Sequence, residues 1–559
     1  MATKTLRKLA LAMVIIVLAV TAVVVYRSDA GSEITYEIPR MLGMEEEEQE
    51  VARLDGPPTT NIQGPFFEVQ AAARSLDIDL RKLPQTGPKV KRPMREMGSP
   101  QPVTRVNLAP SADGDAVTQA DFPALAAPTS LTNFKGLDLQ NWGAGWPPDT
   151  HGDVGPNHYI QAVNTSIGIF DKATGTRLAA FTFNNFFVAA GGSGVCATYN
   201  QGDPVVLYDQ VSGRWIITDF AFTSVTKAPY YECIAVSKTA DPVSGGWWLY
   251  TFTADTANLN DYPKLGIWGD GVYMSANMFR GGKTYKGVKV WALNRDDLIN
   301  GAALRSVSFT LGTSYFSLLP ANVKGTLPPI GTAEYFLSDY GSTTSMNLWK
   351  FKVNWTTPTS STFTGPTSFA VASLVKPTAK VPQLGSTETL DALGDRLMTW
   401  LQYRNISGAE SLWVSRTVVS GASMGIRWYE IRGMSATPAV YQQGTYAPDA
   451  NYRWMSSLAV DKFGNMAVGY SVSSSTMYPA IRYSGRLVTD PLGTLGQGET
   501  SLIEGTGSQS GGYNRWGDYS SMSVDPVNDC TFWYTTEYYE TVSNNWQTRI
   551  GSFQYPNCQ

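Results

Sequence analysis

The sequence predicts an all-β protein of the β-propeller class. The first observation is a unit of about sixty residues that recurs over roughly the last 400 residues, which is the size of a propeller blade. Each copy holds a short apolar strand, an Asp-containing turn and a strand rich in aromatic residues, as in residues 203–217, 457–468 and 521–534. The second observation is composition, because 12% aromatic residues, 52 Gly and 32 Pro are typical of sheets joined by many turns.

The start of each blade can be placed along the chain. Seven units open near Asp149, Asp203, Asp261, Pro328, Asp391, Trp454 and Asp518, and the fourth is the least clearly marked. Seven blades of four strands close a ring and leave only short sheet edges. Six blades result if residues 149–183 complete the last blade instead. The competing architecture is a pair of β-sandwiches, but it predicts irregular spacing and a linker between two halves, which the sequence lacks.

The N-terminal 30 residues are typical of an export signal. Lys4, Arg7 and Lys8 precede an apolar run over residues 9–26, and small residues at 28 and 30 provide a cleavage site. The run is long for a signal peptide and just long enough to span a bilayer, so cleavage and retention as a signal anchor both stay open. Either outcome places the rest of the chain outside the cytoplasm, as a secreted, periplasmic or membrane-anchored protein.

Residues 31–134 differ in composition from the repeated region. They carry four consecutive Glu at 45–48, a Pro-rich piece at 56–58 and a basic piece at 89–93, with a modest helical pattern over 67–76. We interpret this part as a poorly structured stalk or pro-segment without a core of its own. The propeller is then expected over residues 135–559.

Charge and cysteine usage narrow the function classes. The net charge is −4 and the folded part has no basic stripe, so a nucleic-acid partner is not expected. The four cysteines allow three pairings, and an exported protein is expected to oxidise them. We predict Cys196–Cys233 and Cys530–Cys558, the second of which would tie the chain end to the last blade.

The densest polar segment is 147–159, just before the first blade. Asp149, Asp153 and Asn157 occupy the first, fifth and ninth positions of a spacing that resembles a Ca²⁺ loop, with His151 at the third. Val154 stands where the turn usually needs Gly, and no bidentate Glu follows. The pattern therefore favours a hydrogen-bonded turn over a Ca²⁺ site, and no other cofactor is expected.

Polar residues at the blade openings should meet at one mouth of the central channel, although they are far apart in sequence. The candidate binding residues are Asp203, Asp261, Tyr262, Lys264, Asp391, Arg453, Arg515, Asp518 and Tyr519. Paired Arg side chains can hold a carboxylate or sulfate, and paired acids can cleave a glycoside. The competing interpretation is that these residues only form salt bridges between blades.

Several strings resemble a group of exported bacterial proteins. They are residues 147–159, 261–266, 516–526 and 529–534. This group is mostly uncharacterised and is similar at fold level to sialidase-type propellers. The resemblance implies a propeller over about residues 135–559 but no settled activity, and the repeated Ser-x-Asp-x-Gly-x-x-Trp box of sialidases is absent from this sequence.

These observations lead to one expected function and two alternatives. The expected function is a recognition module at the cell surface or in the periplasm, which binds a glycan or a protein at the channel mouth. The first alternative is a carbohydrate-active hydrolase or lyase at the same mouth, with Tyr519 or Asp261 as acid/base groups and His151 and His158, the only two histidines, as substitutes. The second is a scaffold. Sequence alone leaves enzymatic activity and catalytic residues unassigned.

Overall fold

Seven antiparallel sheets of four strands make up the repeated region. In this computed structural model, which describes residues 52–89, 91–93, 115–378 and 380–558, these residues belong to one compact unit spanning 47–559. The predicted leader and the Glu run lie outside the described residues. Among the described residues, no helix combines the length and apolarity needed to cross a bilayer.

The strands that precede the repeated region are short, and most come from the segment predicted as a stalk. They are β1 (Ile62–Gln70), β2 (Arg74–Leu76), β3 (Arg92–Pro93), β4 (Thr118–Gln119), β5 (Leu125–Ala126), β6 (Thr132–Asp138) and β7 (Gly145–Trp146).

The first four sheets follow in chain order. Sheet one holds β8 (His151–Val154), β9 (His158–Val163), β10 (Ser166–Asp171) and β11 (Arg177–Thr182). Sheet two holds β12 (Val205–Asp209), β13 (Arg214–Ala221), β14 (Tyr230–Ser237) and β15 (Trp247–Asp255). Sheet three holds β16 (Asn258–Ile267), β17 (Val272–Arg280), β18 (Thr284–Leu293) and β19 (Leu304–Leu311). Sheet four holds β20 (Leu319–Val323), β21 (Glu334–Ser338), β22 (Ser345–Lys352) and β23 (Thr362–Ala370).

The remaining three sheets complete the series. Sheet five holds β24 (Met398–Ile406), β25 (Ala409–Ser420), β26 (Ser423–Arg432) and β27 (Ala439–Tyr446). Sheet six holds β28 (Tyr452–Val460), β29 (Met466–Ser474), β30 (Met477–Arg486) and β31 (Gln497–Ile503). Sheet seven holds β32 (Ser521–Val524), β33 (Thr531–Tyr538) and β34 (Gln547–Gln554), and β6 supplies its fourth strand.

The first strand of each sheet lies innermost, and these seven strands contact one another in a closed succession. Each contacts the first strand of the next sheet, and β32 of sheet seven contacts β8 of sheet one. Sheets four and five are also joined by parallel pairing of β20 with β24. Sheets arranged around an axis in this way define a β-propeller, so the predicted fold class is confirmed. The number of blades stays a prediction, which the seven sheets support.

The core lies between neighbouring sheets, because the strands are apolar on both faces. Between sheets two and three, for example, Leu207, Ile234 and Phe252 pack with Leu265 and Met274, and all five side chains are buried. A strand covered on both faces needs a nearly continuous apolar run rather than alternation. This explains why the first strand of each unit was recognisable in the sequence.

The segment predicted as a stalk is bound to the propeller wherever it is described. Strand β1 pairs with β19 of sheet three, β2 with β15 of sheet two, β4 with β27 of sheet five and β5 with β31 of sheet six. Outer sheet edges present unpaired N–H and C=O groups, and an added strand satisfies them. The expectation of a poorly structured extension is therefore corrected for the described residues, and the predicted boundary at residue 135 falls inside β6.

Among the residues that the structure describes, helices are few and short. They are α1 (Asn184–Ala189), α2 (Val195–Thr198) and α3 (Arg295–Asn300), with single 3₁₀ turns at Leu80–Lys82 and Pro358–Ser360. The helical pattern predicted over 67–76 is wrong, because residues 67–70 belong to β1 on the edge of β19 and residues 74–76 form β2 on the edge of β15. The fourth opening was also misplaced: sheet four begins at Leu319, not near Pro328.

Both predicted disulfides are confirmed. Cys196 is bonded to Cys233 and Cys530 to Cys558, with Cα–Cα distances of 5.8 and 5.6 Å. The second bond joins the start of β33 to the end of the described chain. Two disulfides and no free cysteine indicate an oxidising, extracytoplasmic environment.

A bend of one kind lies before the innermost strand of five sheets and inside the first half of that strand in sheets three and six. Its residue is not glycine yet has φ between 46° and 55°, in the left-handed region, at Asp149, Asp203, Tyr262, Ser317, Leu393, Met455 and Asp518. Such a φ is uncommon outside glycine, and Asp tolerates it better than most residues. We call this side of the ring the strand-start end, and the opposite side the strand-finish end.

Candidate functional site

Three of the left-handed residues are aspartates that the ring brings together at the strand-start end. Asp149 accepts a hydrogen bond from Asn164 Nδ2 at its Oδ2 atom, at 2.7 Å. The side-chain oxygen of Asn164 in turn accepts from the backbone N–H of Asp203, at 2.9 Å. Asn164 thus links the openings of sheets one and two, although it lies in the turn between β9 and β10.

The third carboxylate comes from sheet seven. Asp518 pairs with Arg515, three residues earlier, and its backbone carbonyl accepts a hydrogen bond from Tyr262 Oη at 3.4 Å. Both Asp518 and Arg515 are buried. Sheets three and seven therefore meet across the ring at this point.

Tyr519 is held between the carboxylate of one sheet and the ammonium group of another. Its hydroxyl donates to Asp203 Oδ2 at 3.1 Å. The Nζ atom of Lys264 lies 3.7 Å from the centre of the Tyr519 ring and 3.1 Å from that of Tyr262. We call Asp149, Asp203, Lys264, Asp518 and Tyr519 the mouth cluster.

Burial sets the protonation of the mouth cluster. Burial and the nearby carboxylates of Asp518 and Asp203 raise the pKa of Asp149 well above its ordinary value, which favours the protonated form of its carboxyl group. Burial also raises the pKa of Tyr519 well above its ordinary range. Burial lowers the pKa of Lys264, and Asp203 acts against that change. The site thus combines a protonated acid with a tyrosine hydroxyl that faces a carboxylate.

His151 lies next to the mouth cluster on β8. Its Nδ1 atom accepts a hydrogen bond from the backbone N–H of Val206 at 3.1 Å, which places the proton of the neutral ring on Nε2. The imidazole meets the ring of Trp400 edge-on at 4.7 Å and that of Tyr519 at 6.1 Å. Burial lowers the pKa of His151 to about 3, so the ring is neutral across the physiological range.

A further acid lies behind the mouth cluster on sheet two. Glu232 is fully buried and accepts from Asn260 Nδ2 at 2.9 Å. Burial raises the pKa of Glu232 to about 8, with a smaller contribution from Asp203. Asp219, on the neighbouring strand, has a pKa raised well above its ordinary value by the same burial.

The strand-finish end has the opposite character. Lys324, after β20, forms a buried ion pair with Asp153 of β8, at 2.8 Å. The carbonyl of Gly325 accepts from Gln210 Nε2 at 2.7 Å. Gly325 has a φ of 76°, and a Cβ there would lie 2.7 Å from the Arg404 side chain, so this position needs glycine.

The turn at 324–325 closes this end, because it comes from sheet four yet contacts sheets one, two and five. Arg404 itself reaches sheet seven, where its Nη2 atom donates to both carboxylate oxygens of Asp529 at 2.9 Å. We call residues 324–325 the closing turn. Opposite charges are paired one to one here, whereas carboxylates gather at the other end.

The structure brings most of the predicted binding residues together. Asp203, Tyr262, Lys264, Arg515, Asp518 and Tyr519 lie in or against the mouth cluster, and Asp261 is buried beside Tyr262 on β16. Arg453 does not join them, since its guanidinium donates to Glu499 at 2.7 and 3.0 Å and to Asp449 at 2.7 Å. Asp391 caps the nearby backbone N–H of Leu393 at 2.9 Å.

The three residues of the predicted Ca²⁺ loop have separate contacts. Asp149 faces Asn164, Asp153 faces Lys324, and Asn157 is exposed in the turn before β9. In the described part of the chain, no group of three His, Cys, Asp or Glu residues is placed to hold a metal ion. The Ca²⁺ site stays a prediction that these contacts do not favour.

Three residues near the mouth cluster were missed by sequence reasoning. They are Asn164, Trp400 and Arg396, whose guanidinium lies 4.6 Å from the centre of the Tyr262 ring. Arg396 follows Asp395 close to the fifth opening, and that Asp-Arg pair was the available signal. Asn164 and Trp400 gave none, because nothing in a strand or turn of that composition marks a side chain that faces the axis.

Comparison with known proteins finds similar structures but no matching family or curated sequence. No family model matches this chain, and no curated protein matches it. Among solved structures, extracellular domains 1–2 of Drosophila Semaphorin 1b are 7% identical with a TM-score of 0.37, covering 76% of this chain and 87% of that one. The N-terminal domain of Nup159 is 7% identical with a TM-score of 0.33, covering 78% and 100%.

An enzyme is also among the similar structures. The α-L-arabinanase of Penicillium chrysogenum, complexed with arabinobiose, is 12% identical with a TM-score of 0.32, covering 67% of this chain and 99% of that one. Similarity at this level carries no information about activity. The resemblance to a group of exported bacterial proteins stays a prediction.

Proposed function

We propose that this protein is an extracytoplasmic, carbohydrate-active hydrolase whose reaction takes place at the mouth cluster. The observation that carries the proposal is the hydrogen bond from the Tyr519 hydroxyl to Asp203, next to the protonated carboxyl of Asp149. Glycoside hydrolysis needs one group that donates a proton to the leaving oxygen and another that attacks or stabilises the sugar. Environments that push the pKa values of neighbouring acids apart assign these two roles.

In the proposed reaction, the Tyr519 oxygen attacks the anomeric carbon while Asp203 takes the phenolic proton. Asp149 gives its proton to the glycosidic oxygen, and the bond from that oxygen to the anomeric carbon breaks. Water then attacks the glycosyl-tyrosine bond, losing a proton to Asp149, and Tyr519 recovers its proton from Asp203. Tyrosine serves as the nucleophile in some glycosidases, whose covalent intermediate leads to retained configuration.

Surrounding residues position these groups. Asn164 fixes one oxygen of Asp149, which leaves the Oδ1 atom to carry the transferable proton. When protonated, Lys264, whose Nζ atom lies against the Tyr519 ring, favours the developing negative charge on the phenolic oxygen. Asp203 is only half-buried, unlike the rest of the cluster, and marks the side from which solvent reaches it.

The second candidate is the recognition module expected from the sequence. One observation favours it: Asp203 and Asp518 already have partners in Tyr519 and Arg515, so the cluster is rigid before any ligand arrives. Rigid polar groups suit binding without turnover as well as catalysis.

The full chain should be screened against neutral and acidic polysaccharides, with new reducing ends and unsaturated products both measured. We expect new reducing ends, lost in Tyr519→Phe and kept in the matched control Tyr452→Phe, whose hydroxyl donates to Ala422 away from the cluster. If unsaturated products form instead, the protein is a lyase and the proposed hydrolase reaction is wrong. Binding without any product would leave the recognition module as the function.

A further inference from the structure

The interior of the ring is closed directly below the mouth cluster. The indole N–H of Trp400, on sheet five, donates to Ser521 Oγ of sheet seven at 3.1 Å. Ser521 Oγ donates in turn to the carbonyl of Gly152, on sheet one, at 2.6 Å. This chain of hydrogen bonds crosses from one side of the ring to the other and forms a floor.

A second barrier lies beneath that floor. The closing turn pairs Lys324 with Asp153 of β8, and Asp153 is only two residues beyond His151. A ligand that enters from the strand-start end therefore meets the floor and then a buried ion pair. Both barriers oppose the passage of a long chain through the ring.

His151 lies against Trp400 of the floor, and one of its ring nitrogens has no hydrogen-bond partner among the described residues. The residue has 0% exposure, and its ring lies edge-on against Trp400. Nδ1 is fixed by Val206, whereas Nε2 has no hydrogen-bond partner among the described residues. A buried donor without a partner costs free energy, which a ligand hydroxyl would recover.

Asp149, just before β8, has a second buried polar atom without a hydrogen-bond partner among the described residues. Its Oδ1 atom is buried and unpartnered within the described chain, while Oδ2 is held by Asn164. The two unpartnered atoms belong to residues two positions apart at the start of β8. The aromatic rings of Trp400 and Tyr519 lie next to His151, and such rings pack against the apolar C–H face of a sugar.

We propose that this floor is the subsite for the terminal unit of a glycan, which enters end-on, and that His151 Nε2 donates a hydrogen bond to a hydroxyl of that unit. The inference rests on the proposed hydrolase function and adds the substrate class, namely chain ends rather than chain interiors. His151 is a binding residue in this scheme and takes no part in proton transfer.

The test uses the full chain and two substrate sets. The first is a panel of 4-methylumbelliferyl monosaccharides, neutral and acidic, which present one terminal unit on a fluorescent leaving group. The second is a panel of cross-linked dyed polysaccharides, which release dye only after cleavage inside the chain. We expect fluorophore release from at least one glycoside and no dye release.

Variants of the two histidines assign the contact. His151→Asn keeps an acceptor for Val206 but removes the distal N–H, and we expect about a tenfold higher KM with little change in kcat. His151→Gln places an N–H near the position of Nε2 and should restore much of the affinity. The matched control is His158→Asn, because His158 lies on β9 near Asp171 and Asp241, outside the mouth cluster.

Every outcome decides the inference. Dye release would overturn end-on binding while leaving the hydrolase in place, and an unchanged KM in His151→Asn would overturn the role of His151. If neither substrate set is cleaved, the hydrolase itself fails. Thermal shifts with the corresponding free monosaccharides then decide: a shift that His151→Asn abolishes supports the subsite, and no shift with any of them overturns it.

Discussion

The two ends of the ring use the same strands for opposite purposes. At the strand-start end, Asp149, Asp203 and Asp518 gather within reach of one another, and burial holds the proton on Asp149. At the strand-finish end, Lys324 neutralises Asp153 and Arg404 neutralises Asp529. The innermost strands are four to ten residues long, which is about 13 to 33 Å of extended chain.

The difference indicates that the strand-start end serves function and that the strand-finish end serves stability. Left-handed aspartates occur at both ends, since Asp529 has a φ of 53°. The strand-start end is distinguished by a buried carboxyl group with a raised pKa, and such groups concentrate at functional sites. Paired charges that cross the ring hold blades in register instead. We therefore expect substitutions at the first end to change activity more than stability, and those at the second end to do the reverse.

The largest effect is expected from Asp149→Asn, which removes the proposed proton donor. The value of kcat on unactivated glycosides should fall about a thousandfold, a typical contribution of general acid catalysis. Wild-type activity should also decline as pH rises through the raised pKa of Asp149, since the acid must be protonated to donate. Steady-state kinetics between pH 4 and 9 provide the measurement.

Aryl glycosides supply the control for this prediction. A leaving group such as 4-nitrophenolate needs no proton, so the variant should recover most of its activity on them and lose its decline at high pH. An equal loss on both substrate types would mean that Asp149 acts in the structure of the site and not as the acid.

The next effect is expected at the closing turn, in Lys324→Met. The change leaves Asp153 buried without its cation, which costs about 3 to 5 kcal/mol of unfolding free energy. Adding Asp153→Asn should recover part of that loss, because the amide oxygen can still accept from the backbone N–H of Tyr208, at 2.8 Å in the native protein. Urea unfolding followed by tryptophan fluorescence measures both variants.

Two controls decide whether the stability lost in Lys324→Met comes from the closing turn. Lys135→Met breaks the exposed pair with Glu540 and should cost less than about 1 kcal/mol. Turnover by Lys324→Met should match wild type well below its melting temperature. Activity lost together with stability would show that the two ends are coupled, contrary to the division described above.

Removing each disulfide in turn compares how much a cross-link near each end of the ring contributes to stability. Cys233 adjoins Glu232 near the mouth cluster, whereas Cys530 adjoins Asp529 at the strand-finish end. The bonds span 37 and 28 residues, so chain entropy predicts losses of about 3.5 to 4 kcal/mol for each Cys-to-Ser pair, differing by only about 0.2 kcal/mol. Calorimetric melting of both double variants tests this.

A clearly larger loss in Cys530→Ser/Cys558→Ser would mean that this bond also holds Asp529 against Arg404. Near-equal losses would mean that each disulfide acts on its own loop. A larger loss for Cys196→Ser/Cys233→Ser would contradict the view that the strand-finish end carries more of the stability.

Sequence reasoning found the strand-start end better than the strand-finish end for a physical reason. Blade openings repeat, so Asp203 and Asp518 could be expected to converge once a ring was assumed. The contacts of Lys324 with Asp153 follow no repeat, because they join sheets one and four across the axis. Arg453 was misjudged, since its opening resembles that of Arg515 but Glu499 lies beside it.

The N-terminal segment shows the same limit in another form. Strand β6 completes sheet seven, and β1, β2, β4 and β5 lie on outer edges, yet their composition is that of a linker. Edge strands gain their hydrogen bonds from a partner that is distant in sequence, so no local pattern reveals them. Composition alone predicted a stalk for that reason.

The smallest effect at each step of the measurement is expected in the pH dependence of stability, tested through Glu232→Gln. An unfolded Glu ionises near its ordinary pKa of 4.5, whereas burial raises the pKa of Glu232 to about 8. Between these values the folded protein holds one more proton than the unfolded chain, so its contribution is fully present below pH 4.5 and is lost as pH rises through 8. The wild type should therefore lose up to about 1.4 kcal/mol per pH unit relative to Glu232→Gln over that range, because one proton is involved.

Urea unfolding of both proteins at pH 5, 6, 7 and 8 measures the difference between the two slopes. Glutamine can accept the hydrogen bond from Asn260 and cannot ionise, so the comparison isolates the proton. Glu504→Gln is the matched control. Burial raises the pKa of Glu504, but the hydrogen bonds from Arg482 and Ser501 and the charge of Arg482 together outweigh it and lower that pKa, so this variant should show the wild-type slope between pH 5 and 8. Parallel slopes for wild type and Glu232→Gln would mean that Glu232 is ionised in the folded protein. The strand-start end would then hold its acids as charges, in the manner of the strand-finish end, and the contrast between them would fail.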